Sequence, residues 1–391
     1  MKESLRYFPS VLLLGARRVG KSTIARRIIE NYITFDDLSA LEFARSDPEG
    51  FVRSIEKPVV LDEVQRVPEI LLPIKRDIDE NPQPGRYLLT GSANIALKRE
   101  LSEALVGRTV IVEMYPLSAV ELGGSPFNVV DALFEGNLDA FHRGISGDAL
   151  LEQIHRGFYP EVQFVPYSMV RQWFASYVSL YLERDVLELY QLRDLDGFRR
   201  LLKLVAHRSA NLLRKSELAA ESGLSIKTVN HYLNLLSMVF QVHLLPPFHS
   251  NVGTVVRKAP KVYITDSGLL SYLLGLSDWR ELSESPYMGA VVETFVFTEL
   301  LKHASLSGDE IFFYRTSGGT EVDFIIRRGS TLVAVEVKAT STIRKRDAKG
   351  IKEFAKKHPE FRYGYVFYLG ERVGSLGDNV FAIPIAGLFQ S

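Results

Sequence analysis

Apolar positions in the first third of the chain fall by turns into short β-branched runs and helical spacing. Residues 11–14 (VLLL), 32–35 (YITF), 58–61 (PVVL), 87–89 (YLL) and 109–112 (TVIV) read as strands, with helix-length segments between most of them. That alternation predicts a parallel sheet covered by helices over residues 1–121. From 122 to 166 the periodicity is interrupted by GGS at 123–125 and by Gly136, Gly144, Gly147 and Gly157, so this stretch reads as a connector. Residues 167–190 carry an amphipathic pattern, and 196–249 predict several short helices closing on the apolar run VFQVHLL, which makes 167–284 an all-α domain. From 285 the pattern changes once more. A helix bearing Val291, Val292, Phe295, Val296 and Leu300 precedes strands at 311–314, 322–326, 332–337 and 363–368, with a charged helix before the last, so 285–391 is a second α/β unit.

A chain of 391 residues has room for two or three domains at about 150 residues each, which excludes a single small binding module. Lys plus Arg and Asp plus Glu both number 47, so affinity for an anionic polymer has to come from local clusters, and a histone-like binder is excluded. The absence of cysteine removes disulfides, thiolate metal sites and cysteine nucleophiles. The apolar run at 11–14 is too short for a secretion signal, and no stretch approaches the roughly 18 apolar residues of a membrane span. The expectation is a cytoplasmic protein with no membrane partner.

Residues 15–22, GARRVGKS, fit G-x-x-x-x-G-K-[ST] at every fixed position, between a predicted strand and a predicted helix. Gly15 and Gly20 let the backbone curl so that successive N–H groups and the helix N-terminus face phosphates. Lys21 would reach the β and γ phosphates and the Ser22 hydroxyl would hold Mg²⁺. The expected nucleotide contacts are Gly15, Ala16, Arg17, Arg18, Val19, Gly20, Lys21, Ser22 and Thr23. The run VVLDEVQ delivers Asp62 and Glu63 at the end of an apolar strand. Asp62 is placed in the Mg²⁺ shell and Glu63 as the group that polarises the attacking water. A third strand, YLLTGSAN, ends in Thr90, Ser92 and Asn94, candidates for sensing the γ phosphate. Arg108 precedes the next strand and is a candidate for stabilising the transition state, in cis or across a subunit boundary.

GARRVGKS, VVLDEVQ, LLTGSAN and the VGR before VEMYPLSAVEL together resemble a prokaryotic and archaeal branch of AAA-type ATPases. In that branch a P-loop domain precedes a winged-helix region and a restriction-endonuclease-like domain, and the resemblance covers nearly the whole chain. It implies a P-loop NTPase sheet of the ASCE/AAA type with the acids on the strand next to the P-loop strand, ATP and Mg²⁺ as cofactors, and a homo-oligomer.

Between 199 and 215 lie Arg199, Arg200, Lys203, Arg208, Arg214 and Lys215 with no acid among them. The following SELAAESGLSIKTVNHYLNLL has a helix-turn-helix pattern: Leu218, Ala219, Val229, Leu233 and Leu236 form a core, Gly223 turns the chain and Ser225 caps the second helix. Lys227, Thr228, Asn230, His231 and Asn234 are left outward, a set suited to DNA phosphates and base edges. Asp266, in KVYITDSGLL, reads as a helix N-cap.

In GTEVDFIIRRGSTLVAVEVKA, Glu336 and Lys338 share one strand face. If Gly329-Ser330 is a two-residue hairpin loop, 328 pairs with 331 and 323 with 336, so Asp323 and Glu336 come within about 5 Å. A divalent cation converts that repulsion into a ligand set, and oxygen-only ligands suit Mg²⁺ or Mn²⁺. Lys338 would then serve the reacting phosphate, and Glu293 on the preceding helix would add an acid. The pattern resembles the PD-(D/E)xK nuclease superfamily at Asp323, Glu336 and Lys338, with Glu293 a looser match. Residues 344–357 add seven basic residues against two acids, a clamp for a phosphate backbone. Two functions compete: an ATPase coupled to a DNA-cutting module, which the sequence favours, and an ATP-dependent switch that holds DNA or a protein without cutting. A small-molecule kinase would need neither Glu63 nor the later domains.

Overall fold

A computed structural model of the chain describes residues 1–92, 105–125, 127–142, 144–145, 147–182, 194–249 and 259–389. They fall into two units, Met1–Pro116 with Met238–Phe240, and Leu117–Ser237 with Gln241–Ser391.

The first unit begins with α1 (Lys2–Tyr7), β1 (Ser10–Gly15) and α2 (Lys21–Ile28). It continues through β2 (Tyr32–Thr34), α3 (Leu38–Ser46), α4 (Pro48–Ser54), β3 (Val59–Asp62), α5 (Leu71–Glu80), β4 (Tyr87–Ser92) and β5 (Thr109–Met114). The strands form one parallel sheet in the order β2-β3-β4-β1-β5. Every residue of β1 is buried, as a strand covered on both faces must be. Val11 and Leu13 of β1, Val60 of β3 and Leu88 of β4 pack on Ala25 and Ile29 of the α2 segment. The expected adjacency of the acid-bearing strand and the P-loop strand is corrected, because β4 lies between β3 and β1 and pairs with both. Apolar runs identify strands, but a strand–helix–strand crossover can place its second strand on either side of the first. All five strands run the same way, so the C-terminal ends of β1, β3 and β4 share one edge, the edge where open α/β sheets bind ligands.

The second unit opens with α6 (Ala119–Gly123), α7 (Val129–Glu135), α8 (Gly147–Arg156) and α9 (Val170–Tyr177). Residues 122–166, expected as a connector, hold α7 and α8 with buried apolar faces that include Val130, Leu133, Leu150 and Ile154. Three of the glycines that interrupt the periodicity are helix ends: Gly124, Gly136 and Gly157 follow α6, α7 and α8 with left-handed φ of 75°, 73° and 79°. At Gly136 a side chain would also run into the Tyr363 ring at 2.8 Å. The helix expected over 167–190 is a 3₁₀ turn, then α9, then a π turn through Leu182; its remainder lies outside the described residues. Glu299 and Lys302, both buried, pair at 2.7 Å; Glu299 accepts from the Ala119 N–H and Lys302 donates to the Leu117 carbonyl, fixing the start of α6.

Next come α10 (Leu195–His207), β6 (Asn211–Leu212), α11 (Lys215–Ser222), α12 (Ile226–Met238), β7 (Val242–Leu245) and β8 (Lys261–Ile264). The strands make an antiparallel sheet in the order β6-β8-β7, so the expected all-α composition is corrected. Strands of two to four residues are too short to display an alternating pattern. After α13 (Ser267–Leu273) and α14 (Trp279–Glu284), α15 (Met288–Ser307) precedes β9 (Glu310–Arg315), β10 (Glu321–Arg328) and β11 (Thr331–Lys338). The unit closes with α16 (Lys349–Lys357), β12 (Phe361–Tyr368), β13 (Gly374–Gly377) and β14 (Val380–Pro384), in a sheet ordered β13-β14-β12-β11-β10-β9. Phe324, which pairs with Val335, meets Phe297 of α15, while Leu332 and Ala334 pack with Ile351 and Phe354 of α16. Since neighbouring strand positions face opposite ways, the two helices cover opposite faces of the sheet. No described helix is long and apolar enough to cross a membrane.

Candidate nucleotide site and a second acidic cluster

β1 ends at Gly15, where a Cβ would meet the Met114 carbonyl oxygen of β5 at 2.1 Å; only glycine leaves the chain room to turn. Gly20 takes a left-handed φ of 96° as the N-cap of α2, which aims the first N–H groups of that helix out of the sheet edge. Lys21, 6% exposed, folds its Nζ back to donate to the Gly15 carbonyl at 2.9 Å and the Ala16 carbonyl at 2.7 Å. Ala16 and Val19 are buried, Arg17 half-buried, and Arg18 and Thr23 exposed, so the loop backbone is the surface it offers.

Ser22 and Asp62 come together as the motif requires. The Ser22 hydroxyl lies 3.0 and 3.1 Å from the two Asp62 carboxylate oxygens. Asp62, 4% exposed, also accepts from the Tyr32 and Thr90 hydroxyls and, at 3.5 Å, from Thr34. A buried carboxylate ringed by hydroxyls beside a P-loop serine is a hard-oxygen donor set, and it fits Mg²⁺. Thr90 thus braces Asp62 and also accepts from the Glu63 N–H at 3.3 Å. Glu63 has a left-handed φ of 60°, an unfavourable conformation for a non-glycine residue that cuts β3 off and turns the chain into Val64–Arg66. Its carboxylate accepts from the Gln65 side chain. Burial, and next the Asp62 carboxylate, push the Tyr32 hydroxyl above its ordinary pKa. The roles of Tyr32 and Thr34 on Asp62 escape sequence reasoning, because they follow from β2 pairing with β3 in the register Thr34↔Asp62. Ser92 ends β4 opposite Gly15 in the backbone register; Asn94 lies outside the described residues.

Arg108 is not at this site. It precedes β5, whose register runs from Ser10↔Thr109 to Gly15↔Met114, so it sits at the opposite sheet edge, six residue steps or roughly 20 Å from the P-loop at about 3.3 Å per residue. Its guanidinium pairs with Asp79, with one hydrogen bond at 3.0 Å. The expected role in cis is corrected: parallel pairing puts the start of β5 where the sheet begins. Arg108→Ala is therefore expected to leave kcat for ATP within about twofold of wild type in the monomeric chain, measured by steady-state phosphate release at dilutions where the chain is monomeric; a tenfold loss there would contradict this placement, and a loss confined to an assembled state would assign Arg108 to a neighbouring subunit.

In the helical part of the second unit, Leu218, Ala219, Val229, Leu233 and Leu236 are buried as expected. Lys227, His231 and Asn234 are exposed on α12, with Thr228 and Asn230 half-buried. The basic run is less one-sided than its sequence. Arg199 and Arg214 pair with Asp196 and Glu217 at 3.3 and 2.8 Å, acids three residues away in sequence, and Arg208, just past α10, pairs at 2.5 Å with Glu221 of α11. Asp266 caps α13 through the Leu269 N–H and also accepts from the Phe158 N–H.

The β10–β11 ladder follows the expected register from Arg328↔Thr331 to Phe324↔Val335, one step short of Asp323 and Glu336. Asp323 Oδ2 accepts from the Val337 N–H at 2.9 Å, and Lys338 Nζ donates to Glu336 Oε1 at 2.6 Å. A residue absent from the expectation sits among these acids. Lys261 of β8, with a side chain 4% exposed, places Nζ 3.1 Å from Glu293 Oε1, 3.0 Å from Glu321 Oε1 and 3.2 Å from Asp323 Oδ1. Tyr263, two residues along the same strand face, donates to Glu293 Oε1 at 2.7 Å. Burial, reinforced by Asp323, pushes Glu293 up to about 7 and Glu336 up to about 8. Burial works to deprotonate Lys261, but Asp323, Glu293 and Glu321 outweigh it and raise its pKa. The Mg²⁺ or Mn²⁺ site expected at Asp323, Glu336 and Glu293 does not fit these residues, since an ammonium is held by two of the three. Among the described residues no group of three or more His, Asp or Glu is arranged to hold a metal ion. The signal that could have revealed this was a lysine in KVYI, a strand buried at all four positions.

Residues 7–123 match a family described as AAA domain. Residues 147–280 match a domain of unknown function, DUF8612, and residues 288–388 another, DUF4143. The AAA match spans the P-loop, Asp62 and Glu63, and points to nucleotide binding with Mg²⁺ and ATPase-type chemistry there. Uncharacterized protein Rv2008c of Mycobacterium tuberculosis and uncharacterized protein Mb2031c of Mycobacterium bovis are each 28% identical over 387 residues, 98% of this chain and 82% of theirs. Uncharacterized protein MJ1544 of Methanocaldococcus jannaschii is 24% identical over 365 residues, 88% of this chain and 78% of its own. The crystal structure of protein VC1899 from Vibrio cholerae aligns over 97% of this chain and 95% of its own with 9% identity and a TM-score of 0.21, a likeness that carries no argument.

Proposed function

We propose that this chain is an ATP-hydrolysing AAA-type switch whose second unit holds DNA. The observation that carries the reading is the convergence of Lys21, Ser22 and Asp62 at the edge where β1, β3 and β4 end. The N–H groups of 15–22 and the N-terminus of α2 cradle the β and γ phosphates. Lys21 exchanges the Gly15 and Ala16 carbonyls for phosphate oxygens, a move within its own side-chain length. Mg²⁺ held by Ser22 and Asp62 would offset charge on the phosphate oxygens. Glu63 accepts hydrogen bonds from the water that attacks the γ phosphorus and takes its proton as the bond to the leaving oxygen breaks. Thr90, joined to both Asp62 and the Glu63 backbone, fixes the two acids relative to each other.

Two features support DNA as the partner of the second unit. The order α10-β6-α11-α12-β7-β8, with sheet order β6-β8-β7, supports a winged-helix reading, in which the second helix of the turn presents Lys227, His231 and Asn234. Arg344, Lys345, Arg346, Lys349, Lys356 and Lys357 are exposed on and just before α16. The hairpin geometry at Asp323, Glu336 and Lys338 supports a PD-(D/E)xK-like fold for residues 285–391. Anisotropy of a labelled duplex titrated at several salt concentrations tests the partner. Replacing Lys349, Lys356 and Lys357 by alanine is expected to flatten the slope of log affinity against log salt by about 0.9 for each phosphate these side chains neutralise. An unchanged slope would return α16 to an ordinary solvated face.

A further inference from the structure

We propose that Lys261 is a built-in cation that takes the place of a divalent metal in the acidic cluster of Glu293, Glu321 and Asp323, leaving the second unit a metal-free binding module. The inference uses nothing in the nucleotide site and stands whether or not the first unit hydrolyses ATP.

A lysine at a buried strand position is costly unless its ammonium is paired. Lys261 has three N–H donors, and three carboxylates from two different elements stand 3.0 to 3.2 Å away, ordinary charge-assisted hydrogen-bond distances. The Lys261 ammonium and the Tyr263 hydroxyl both reach Glu293 Oε1, so this face of β8 is shaped to α15. Tyr263 is itself fixed by stacking on Phe297 with ring centroids 4.1 Å apart. Nor can β8 draw back: Lys261 pairs with Leu212 of β6 on one side and Leu245 of β7 on the other. A Mg²⁺ ion would need carboxylate oxygens at about 2.0 to 2.1 Å in octahedral array. It would have to enter the space the ammonium holds, against the repulsion of a second cation. The four acids Glu293, Glu321, Asp323 and Glu336 therefore meet two internal bases, Lys261 and Lys338, and are organised around amines.

The test counts Mn²⁺ bound to the full nucleotide-free chain by equilibrium dialysis, in an Asp62→Asn background that removes the first metal site. Wild type at Lys261 is expected to bind the same amount of Mn²⁺ with or without Asp323→Asn. Lys261→Ala, shown folded by circular dichroism, is expected to gain one Mn²⁺ per chain and to lose it when Asp323→Asn is added. Should the alanine variant fail to fold, Lys261→Met keeps the side-chain volume without the charge and carries the same expectation. The proposal is overturned if the chain with Lys261 intact binds a Mn²⁺ that Asp323→Asn removes, or if folded Lys261 variants gain none.

Discussion

Lys21→Ala is expected to reduce kcat/KM for ATP by about 10²- to 10³-fold or more, the scale seen when one charged or hydrogen-bonding stabiliser is removed from a transition state in a dry site. Its ammonium is almost fully buried and donates to the loop carbonyls of Gly15 and Ala16, so the side chain is held beside the phosphate cradle before any nucleotide arrives. Alanine removes the donor to those two carbonyls but none of the apolar residues that pack the sheet beneath. The effect therefore falls on nucleotide binding and turnover and leaves folding intact. Phosphate release and fluorescent-nucleotide titration on the same preparation separate these readouts, and a variant that turns over at even a tenth of the wild-type rate would remove Lys21 from the account.

Glu63→Gln is expected to lower kcat by about 10²-fold or more while ATP binding is retained, since loss of a positioned base costs proton transfer without altering the cradle. Glutamine keeps the shape of the side chain and an oxygen that can accept from Gln65. The backbone is already committed to its left-handed turn, with the N–H held by Thr90. The substitution thus removes charge and little else. Single-turnover hydrolysis beside an equilibrium binding curve distinguishes the cases: normal hydrolysis shows that another group activates the water, and lost binding shows that Glu63 supports the fold of the site.

The nucleotide site is legible in the sequence because its chemistry is local. GARRVGKS sits on consecutive residues, and Asp62 and Glu63 follow a short β-branched apolar run that reads as a buried strand and is one. Strand order is not legible, since β4 enters between β1 and β3 through a crossover that leaves no periodic trace. For the same reason Tyr32 and Thr34 are invisible as partners of Asp62, and Arg108 cannot be assigned to an edge of the sheet until its parallel register is known. The glycines of 122–166 carry a real signal with two meanings, linker and helix end, and only their left-handed φ values decide it. In the second unit the hairpin register follows from one turn, Gly329-Ser330, because a two-residue loop leaves the strands no other pairing. What the hairpin cannot reveal is Lys261, some sixty residues earlier in the chain and brought to Asp323 by tertiary packing alone.

One incubation tests the central claim most directly: wild-type chain with Mg²⁺, Mn²⁺, ATP and supercoiled plasmid, read at once for phosphate release and for plasmid nicking. The account predicts steady phosphate release that Lys21→Ala abolishes, with the plasmid left supercoiled. Absence of phosphate release, or nicking that disappears with Glu336→Ala, would contradict it.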